Sequence, residues 1–175
     1  TPNYDFYSVD AMGVPAIPSN WKLTITGLVD KPLTLTLDDI QAMPSVIEMR
    51  TLSCISNPVG GELISNAVWK GVRLKDLLAP AGVKSNARYL KLESFDTWST
   101  GIPLELGMDD HALLAYEMNG APLPRDHGAP LRCLWPGHYG MKQPKWLQTI
   151  TLTDKAYAGF WENRVGRTKP RSCHS

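Results

Sequence analysis

Apolar and polar positions alternate along this chain in short bursts rather than in long helical stripes. From Trp21 to Val29, Leu23, Ile25 and Gly27 fall on one face and Lys22, Thr24 and Thr26 on the other, the two-residue period of a half-buried strand. Leu33 to Leu37 repeats the alternation, Asp38 to Met43 reads as a short helix stopped by Pro44, and Val46 to Leu52 as a strand delivering Ser53 and Cys54 at its end. A loop is expected from Ile55 to Ala67, where Pro58, Gly60 and Gly61 interrupt any period. Beyond Trp69-Lys70-Gly71-Val72-Arg73, the i, i+3, i+4 spacing of Leu74, Leu77 and Leu78 predicts a helix from Leu74 to Ala81, closed by Gly82. Further strands are predicted at Tyr89 to Phe95, Leu113 to Met118, Ala121 to Leu123, Pro130 to Trp135 and Trp146 to Thr153, with a short helical turn after Ile102-Pro103-Leu104. Asn119-Gly120 is the strongest hairpin signal in the chain.

These elements add up to one domain over residues 1–175 of the α+β class, mostly β with several short helices. Thr1 to Asn20, aromatic and Pro-rich without periodicity, reads as an irregular arm lying on that domain, and residues 162–175 as a tail. A length of 175 residues suits a single core, and 14 glycines with 14 prolines argue against a helical bundle.

Composition narrows the function classes. With 18 basic against 17 acidic residues the net charge is +1, which offers nothing to a phosphate backbone, so nucleic acid is not an expected partner. No uncharged stretch exceeds 11 residues, too short to span a bilayer. The opening Thr1-Pro2-Asn3 lacks an initiator Met and leaves room for a leader or membrane segment upstream. Three cysteines, Cys54, Cys133 and Cys173, share no CxxC spacing, so neither a disulfide framework nor a structural zinc site is implied.

Two places carry chemistry. Cys54 ends a strand and opens a glycine-containing loop, from which a side chain can point into a cleft; its alternative is a small buried hydrophobe, the role assigned to Cys133. His127, Arg132, His138, Lys142 and Lys145, interleaved with Gly128, Pro130, Pro136, Gly137, Gly140 and Pro144, suit a phosphate or another anion, or else form a solvated basic loop. No P-loop, GxGxxG or HExxH is present.

Leu52-Ser53-Cys54-Ile55-Ser56-Asn57, Trp69-Lys70-Gly71-Val72-Arg73-Leu74, the run from Leu113 through Tyr116-Glu117-Met118-Asn119-Gly120 to Arg132, and Pro136-Gly137 through Lys145-Trp146-Leu147 resemble, in order and spacing, the molybdopterin-binding domain of the sulfite oxidase family, from about Asn3 to about Trp161. The resemblance implies that family's mostly-β fold, a molybdenum–molybdopterin cofactor and two-electron oxygen-atom transfer on a small sulfur or nitrogen oxo compound. It implies Cys54 as the single protein ligand to molybdenum, a soft thiolate donor, and Trp98 at the active site. It implies Asn3, Phe6 and Tyr7 in an arm over the pterin, Ser94 at the cofactor, His127 and Arg132 on pterin and phosphate, and Gln143, Pro144 and Lys145 in a phosphate-side loop. It further implies location outside the cytoplasmic membrane. With no CxxCH and no Cys cluster in the chain, electrons are expected to pass through a separate cytochrome or membrane redox subunit.

Three departures from sulfite oxidases bear on the substrate. Ile55-Ser56-Asn57-Pro58-Val59 after Cys54 holds no cation where those enzymes end a run with paired arginines, Trp98 stands where they have an active-site Tyr, and no dimerisation domain is expected after Trp161. Sulfite is therefore not the expected substrate. Two other readings stay open at this stage: a Cys54-dependent hydrolase or transferase with His127 or His138 as base, and a non-catalytic, cofactor-free relative.

Overall fold

Alternation of branched and small polar residues produces ladders, and two sheets account for most of the ordered backbone. The computed structural model describes residues 1–10, 13–159 and 162; Trp161, Cys173 and residues 163–175 lie outside them. The described chain runs β1 (Leu23–Gly27), β2 (Leu33–Leu35), α1 (Leu37–Gln41), β3 (Val46–Ser53), β4 (Ile64–Arg73), α2 (Leu74–Leu78), β5 (Tyr89–Ser94), β6 (Ser99–Pro103), α3 (Leu104–Gly107), β7 (Leu113–Met118), β8 (Ala121–Pro122), β9 (Arg132–Leu134) and β10 (Leu147–Thr153). Short 3-10 turns sit at Ala79–Ala81, Arg125–His127 and Gly140–Lys142. The fold is α+β, mostly strand with a few short helices.

The first sheet has the order β2-β1-β10-β5-β6, with β1 parallel to β10 and the other pairs antiparallel. The second has the order β3-β4-β7-β8, with β9 also paired to β7. The larger core cluster joins Leu23, Ile25, Leu90, Leu92 and Ile150 of the first sheet to Leu74, Leu77 and Leu78 of α2 and to Val72, Leu114 and Tyr116 of the second. A smaller cluster, with Phe6, Leu52, Trp69, Leu113, Ala115 and Leu134 among its members, fills the other face of the second sheet. Strand β7 serves both clusters, which is why Leu113 to Tyr116 is apolar at every position and does not alternate.

Two strands escape the sequence reading. The stretch expected to be loop as far as Ala67 enters β4 at Ile64, and β6 begins at Ser99, ahead of the helical turn at α3. In β4 the buried positions are Ser65, Ala67, Trp69, Gly71 and Val72, while the apolar Ile64 and Val68 face outward. Small and polar residues on the inner side therefore mask the period. Gly71 is required there: a Cβ would lie 2.0 Å from the Leu114 carbonyl oxygen, at the register shift between β4 and β7. The helix expected from Asp38 starts at Leu37 because Thr36 and Asp39 form a capping box, the Asp39 N–H donating to Thr36 Oγ1 at 3.1 Å and the Thr36 N–H to the Asp39 carboxylate at 2.8 Å. Asn119 (φ 51) and Gly120 (φ 78) form the expected hairpin turn.

The N-terminal arm lies over the second sheet. The Thr1 ammonium donates to Asn66 O (2.7 Å), Asn119 Nδ2 to Thr1 O (2.9 Å) and Asn3 Oδ1 (2.8 Å), and the Tyr7 N–H to Ser65 Oγ (3.2 Å). Phe6, 5% exposed, inserts into the smaller cluster, meeting Trp69 and His127 edge-on at centroid distances of 5.6 and 5.4 Å. No helix among the described residues is long and apolar enough to cross a membrane.

Candidate functional site

Arm, strand end and two loops converge on one cavity. Strand β3 ends at Ser53, and Cys54 is turned out of the sheet by its own backbone: its N–H donates to Leu63 O (2.9 Å) and its carbonyl accepts the Asn57 N–H (3.1 Å). The Leu63 N–H donates to Asn57 Oδ1 (2.8 Å), and the Gly61 N–H to Pro58 O (2.9 Å), so the loop from Ile55 to Leu63 closes upon itself. The thiol is half-buried, 3.1 Å from Ser56 Oγ. It lines the cavity with Leu52, Tyr7, Trp98, Arg132 and Lys145, and Phe6, Gln143, Pro144, Asp96, Gly140 and Met141 complete most of the wall.

Of the residues singled out from the sequence, the structure thus brings Cys54, Trp98, Phe6, Tyr7, Arg132, Gln143, Pro144 and Lys145 to one wall. Asn3, Ser94 and His127 stand behind it. The buried His127 ring shares a hydrogen bond through Nε2 with Asn3 O (2.7 Å), and Arg132 Nη1 donates to His127 O (2.9 Å), so His127 connects the arm to the cavity cation. Ser94 is buried at the end of β5, its backbone N–H bound to Trp98 O (2.9 Å). Gln143 braces the loop, accepting the Trp135 N–H at 3.1 Å and donating to His138 O at 2.6 Å.

The electrostatics divide the cavity. Arg132 is 5% exposed and lies 5.1 Å from the Trp69 ring; burial draws its pKa down to about 10, opposed by the nearby Tyr7, Cys133 and Asp10. Its Nε has no hydrogen-bond partner among the described residues, and neither has Ser94 Oγ. A buried guanidinium with an unused donor is costly unless a ligand satisfies it. Tyr7 is pushed up to about 12, first by burial, with Arg132 opposing and Cys54 adding, so the phenol stays protonated. Burial also lowers the Lys145 ammonium, opposed chiefly by Asp10, and raises Asp96, whose carboxylate accepts the Trp98 N–H at 3.1 Å. Gly128 permits the two cations to approach each other: its φ is +113°, and a Cβ there would lie 2.9 Å from Lys145 Cβ and 3.1 Å from Arg132 Cβ.

Other cations are engaged elsewhere. The Lys142 ammonium is bound to Thr100, Gly101 O and Glu162, and His138 Nδ1 to Pro136 O (2.8 Å). Neither these residues nor Arg73 or His127 line the cavity, so among the described residues no imidazole stands in its wall to serve Cys54 as a base. Sequence reasoning missed Ser8, Val9, Asp96 and Met141. Asp96 sits in the Phe95–Thr97 turn between β5 and β6, and the unrecognised β6 hid that turn. Cys133 is fully buried in the larger cluster, and burial pushes its thiol pKa up, in keeping with the hydrophobe role expected of it. A thiol in the same wall as a buried, under-partnered guanidinium and a lysine fits a ligand carrying both a soft metal and an anion.

Comparison with known proteins names such a ligand. The family model for the oxidoreductase molybdopterin binding domain matches residues 11–161. An uncharacterized oxidoreductase, YuiH, of Bacillus subtilis is 39% identical over 144 residues, 82% of this chain and 71% of its own length. Mitochondrial sulfite oxidase of Rattus norvegicus is 36% identical over 94% of this chain, which spans 35% of that enzyme. The sulfane dehydrogenase SoxCD of Paracoccus pantotrophus superposes with a TM-score of 0.78 at 30% identity, over 90% of this chain and 43% of that one. The motifs, the mostly-β fold and the thiol-and-cation cavity agree with these matches: the chain belongs to the oxidoreductase molybdopterin-binding domain family, as a molybdenum–molybdopterin-dependent oxidoreductase domain of the sulfite oxidase type.

Proposed function

We propose that this domain carries out oxygen-atom transfer on a small, neutral sulfur or nitrogen oxo compound, exchanging electrons with a separate cytochrome or membrane redox subunit outside the cytoplasmic membrane. The observation that carries the substrate assignment is the placement of charge. Among the described residues, Arg132 and Lys145 are the cations of the cavity wall, and no cation lies in the loop from Ile55 to Leu63 after Cys54. Lys142 and His138 are bound elsewhere, and Asp96 adds a carboxylate. A dianion entering a partly desolvated cleft needs cations to replace its hydration, and this wall reserves its cations for the cofactor.

In the proposed assignment Cys54 holds the metal through its thiolate, while Arg132 and Lys145 take the phosphate. Molybdopterin, when bound, supplies the two-electron oxygen-atom chemistry. The chain positions and shields. Phe6 and Tyr7 close the cavity from the arm side, Trp98 presents apolar surface beside the metal ligand, and the Tyr7 phenol remains a donor at neutral pH.

Metal and pterin analysis of protein from a cofactor-competent host tests the cofactor assignment, with stoichiometric molybdenum expected. Steady-state turnover of sulfite against sulfoxides and N-oxides, with artificial electron carriers, tests the substrate. Sulfite turnover with a kcat/KM at or above about 10⁴ M⁻¹s⁻¹, ordinary enzyme efficiency, would overturn it.

A further inference from the structure

Lys145 has no unused donor. An ammonium offers three N–H bonds and accepts none. They go to Ser8 Oγ (2.8 Å), to the Asp126 carbonyl (2.8 Å) and to the Asp10 carboxylate, while the Trp146 ring lies 4.3 Å from Nζ. Ser8 Oγ joins this group, 3.0 Å from Asp126 O and 3.1 Å from Asp10 Oδ1. An anion that is to reach Lys145 must therefore displace one of the three.

The partners differ in how firmly they are held. Asp126 lies within the 3-10 turn Arg125–His127, next to His127, which is locked between Arg132 and Asn3. Ser8 and Asp10 lie in the arm, outside any helix or ladder, and Ser8 is exposed. The Asp10 carboxylate also acts through space on Arg132, so with its contact to Lys145 it sits in the field of both cavity cations. It is the anion that the cluster already holds.

We propose that Asp10 is an internal counter-ion for the anion site, and that a phosphate-bearing ligand takes its place on Lys145 and releases the Ser8–Asp10 segment of the arm. The exchange conserves charge balance around the buried Arg132 and the half-buried Lys145 in both states, avoiding an unpaired ammonium when the site is empty. It also couples loading of the site to movement of the arm, because the displaced carboxylate and the Ser8 hydroxyl share the same ammonium. This inference rests on the reading of the cavity as the molybdopterin site.

The test uses protein made in a host that cannot synthesise molybdopterin, with inorganic phosphate as probe at constant ionic strength. Calorimetric titration of wild type and Asp10→Asn should show phosphate binding about ten- to a hundredfold tighter in the variant, the range for removing one charge-assisted competitor. Lys145→Ala should bind phosphate weakly whether or not Asp10 is also replaced. In wild type, phosphate should accelerate amide hydrogen exchange at Ser8 to Asp10 while leaving β7 unchanged, a readout independent of any variant's folding. Equal affinities of wild type and Asp10→Asn, unchanged exchange in the arm, or no phosphate binding by either protein would overturn the exchange. Molybdenum and pterin content of wild type from a competent host reports separately on the site: full occupancy with equal phosphate affinities would refute the counter-ion alone.

Discussion

Gly128 is the point at which backbone geometry and site chemistry meet, and Gly128→Ala tests both. Its φ of +113° with ψ of 18° lies in a region that side-chain-bearing residues rarely occupy, at a cost of about 1 to 3 kcal/mol. The new Cβ would also lie 2.9 Å from Lys145 Cβ, 3.1 Å from Lys145 Cα and 3.1 Å from Arg132 Cβ. These are stems and backbone, not flexible side-chain ends, so relief requires the two cation-bearing segments to separate, adding about 1 to 3 kcal/mol of overpacking. The expected sum, about 2 to 6 kcal/mol, is a large share of a domain's usual stability of about 5 to 15 kcal/mol. Gly120→Ala supplies the comparison. Gly120 also has positive φ, +78°, but nothing lies within 4 Å of its added Cβ, so it reports the dihedral cost without crowding. Urea denaturation of both variants gives the stabilities, and molybdenum analysis after dialysis gives cofactor retention. Gly128→Ala should be the less stable of the two and should lose cofactor, whereas Gly120→Ala should retain it. Equal stabilities, or full retention in Gly128→Ala, would refute the argument that this glycine sets the spacing of Arg132 and Lys145.

Cys54→Ser should abolish turnover with unfolding free energy within about 0.5 kcal/mol of wild type, since the residue is half-buried in a self-closed loop; the control is Cys133→Ala, because a serine at that fully buried position would bury a hydroxyl. Arg132→Met should lower cofactor retention, measured by pterin release on dialysis, yet leave the cofactor-free protein equally or more stable by up to about 3 kcal/mol, because burial penalises the charged guanidinium at every pH below about 10. Tyr7 has the opposite sign at alkaline pH: its folded pKa, pushed to about 12, exceeds the ordinary phenol value, so the folded state keeps a proton that the unfolded chain loses. Its contribution is full below about pH 10 and declines as pH rises toward 12, so Tyr7→Phe should show a shallower alkaline fall in denaturation midpoint than wild type.

How legible the molecule was depended on which residues face inward. In β1 and β10, Leu23, Ile25, Ile150 and Leu152 point to the core and Thr24, Thr26 and Thr151 do not, so the period shows in the letters. In β4 the inward positions include Ser65, Ala67 and Gly71, chosen for close approach to neighbouring strands, and hydrophobicity carries no trace of them. At the cavity, Arg132 and Lys145 were visible as cations in a Gly- and Pro-rich stretch, and Cys54 as a thiol at a strand end. Asp10 was not, because its role depends on a lysine 135 residues away, brought to it by an arm without periodicity. Asp96 was hidden by a turn whose second strand opens with Ser99 and Thr100, too polar to announce itself.

The loop from Ile55 to Leu63 has a consequence for how this scaffold can change. Its two ends are joined by the Cys54 N–H and Leu63 carbonyl, its interior bonds run among Cys54, Asn57, Pro58, Gly61 and Leu63, and none of its residues belongs to either core cluster. It is a cassette: length and charge can be exchanged there without disturbing the strand that presents the thiol or the loop that holds the cations. New arginines in this one segment would add cations beside the thiol and leave the apparatus behind it as it stands.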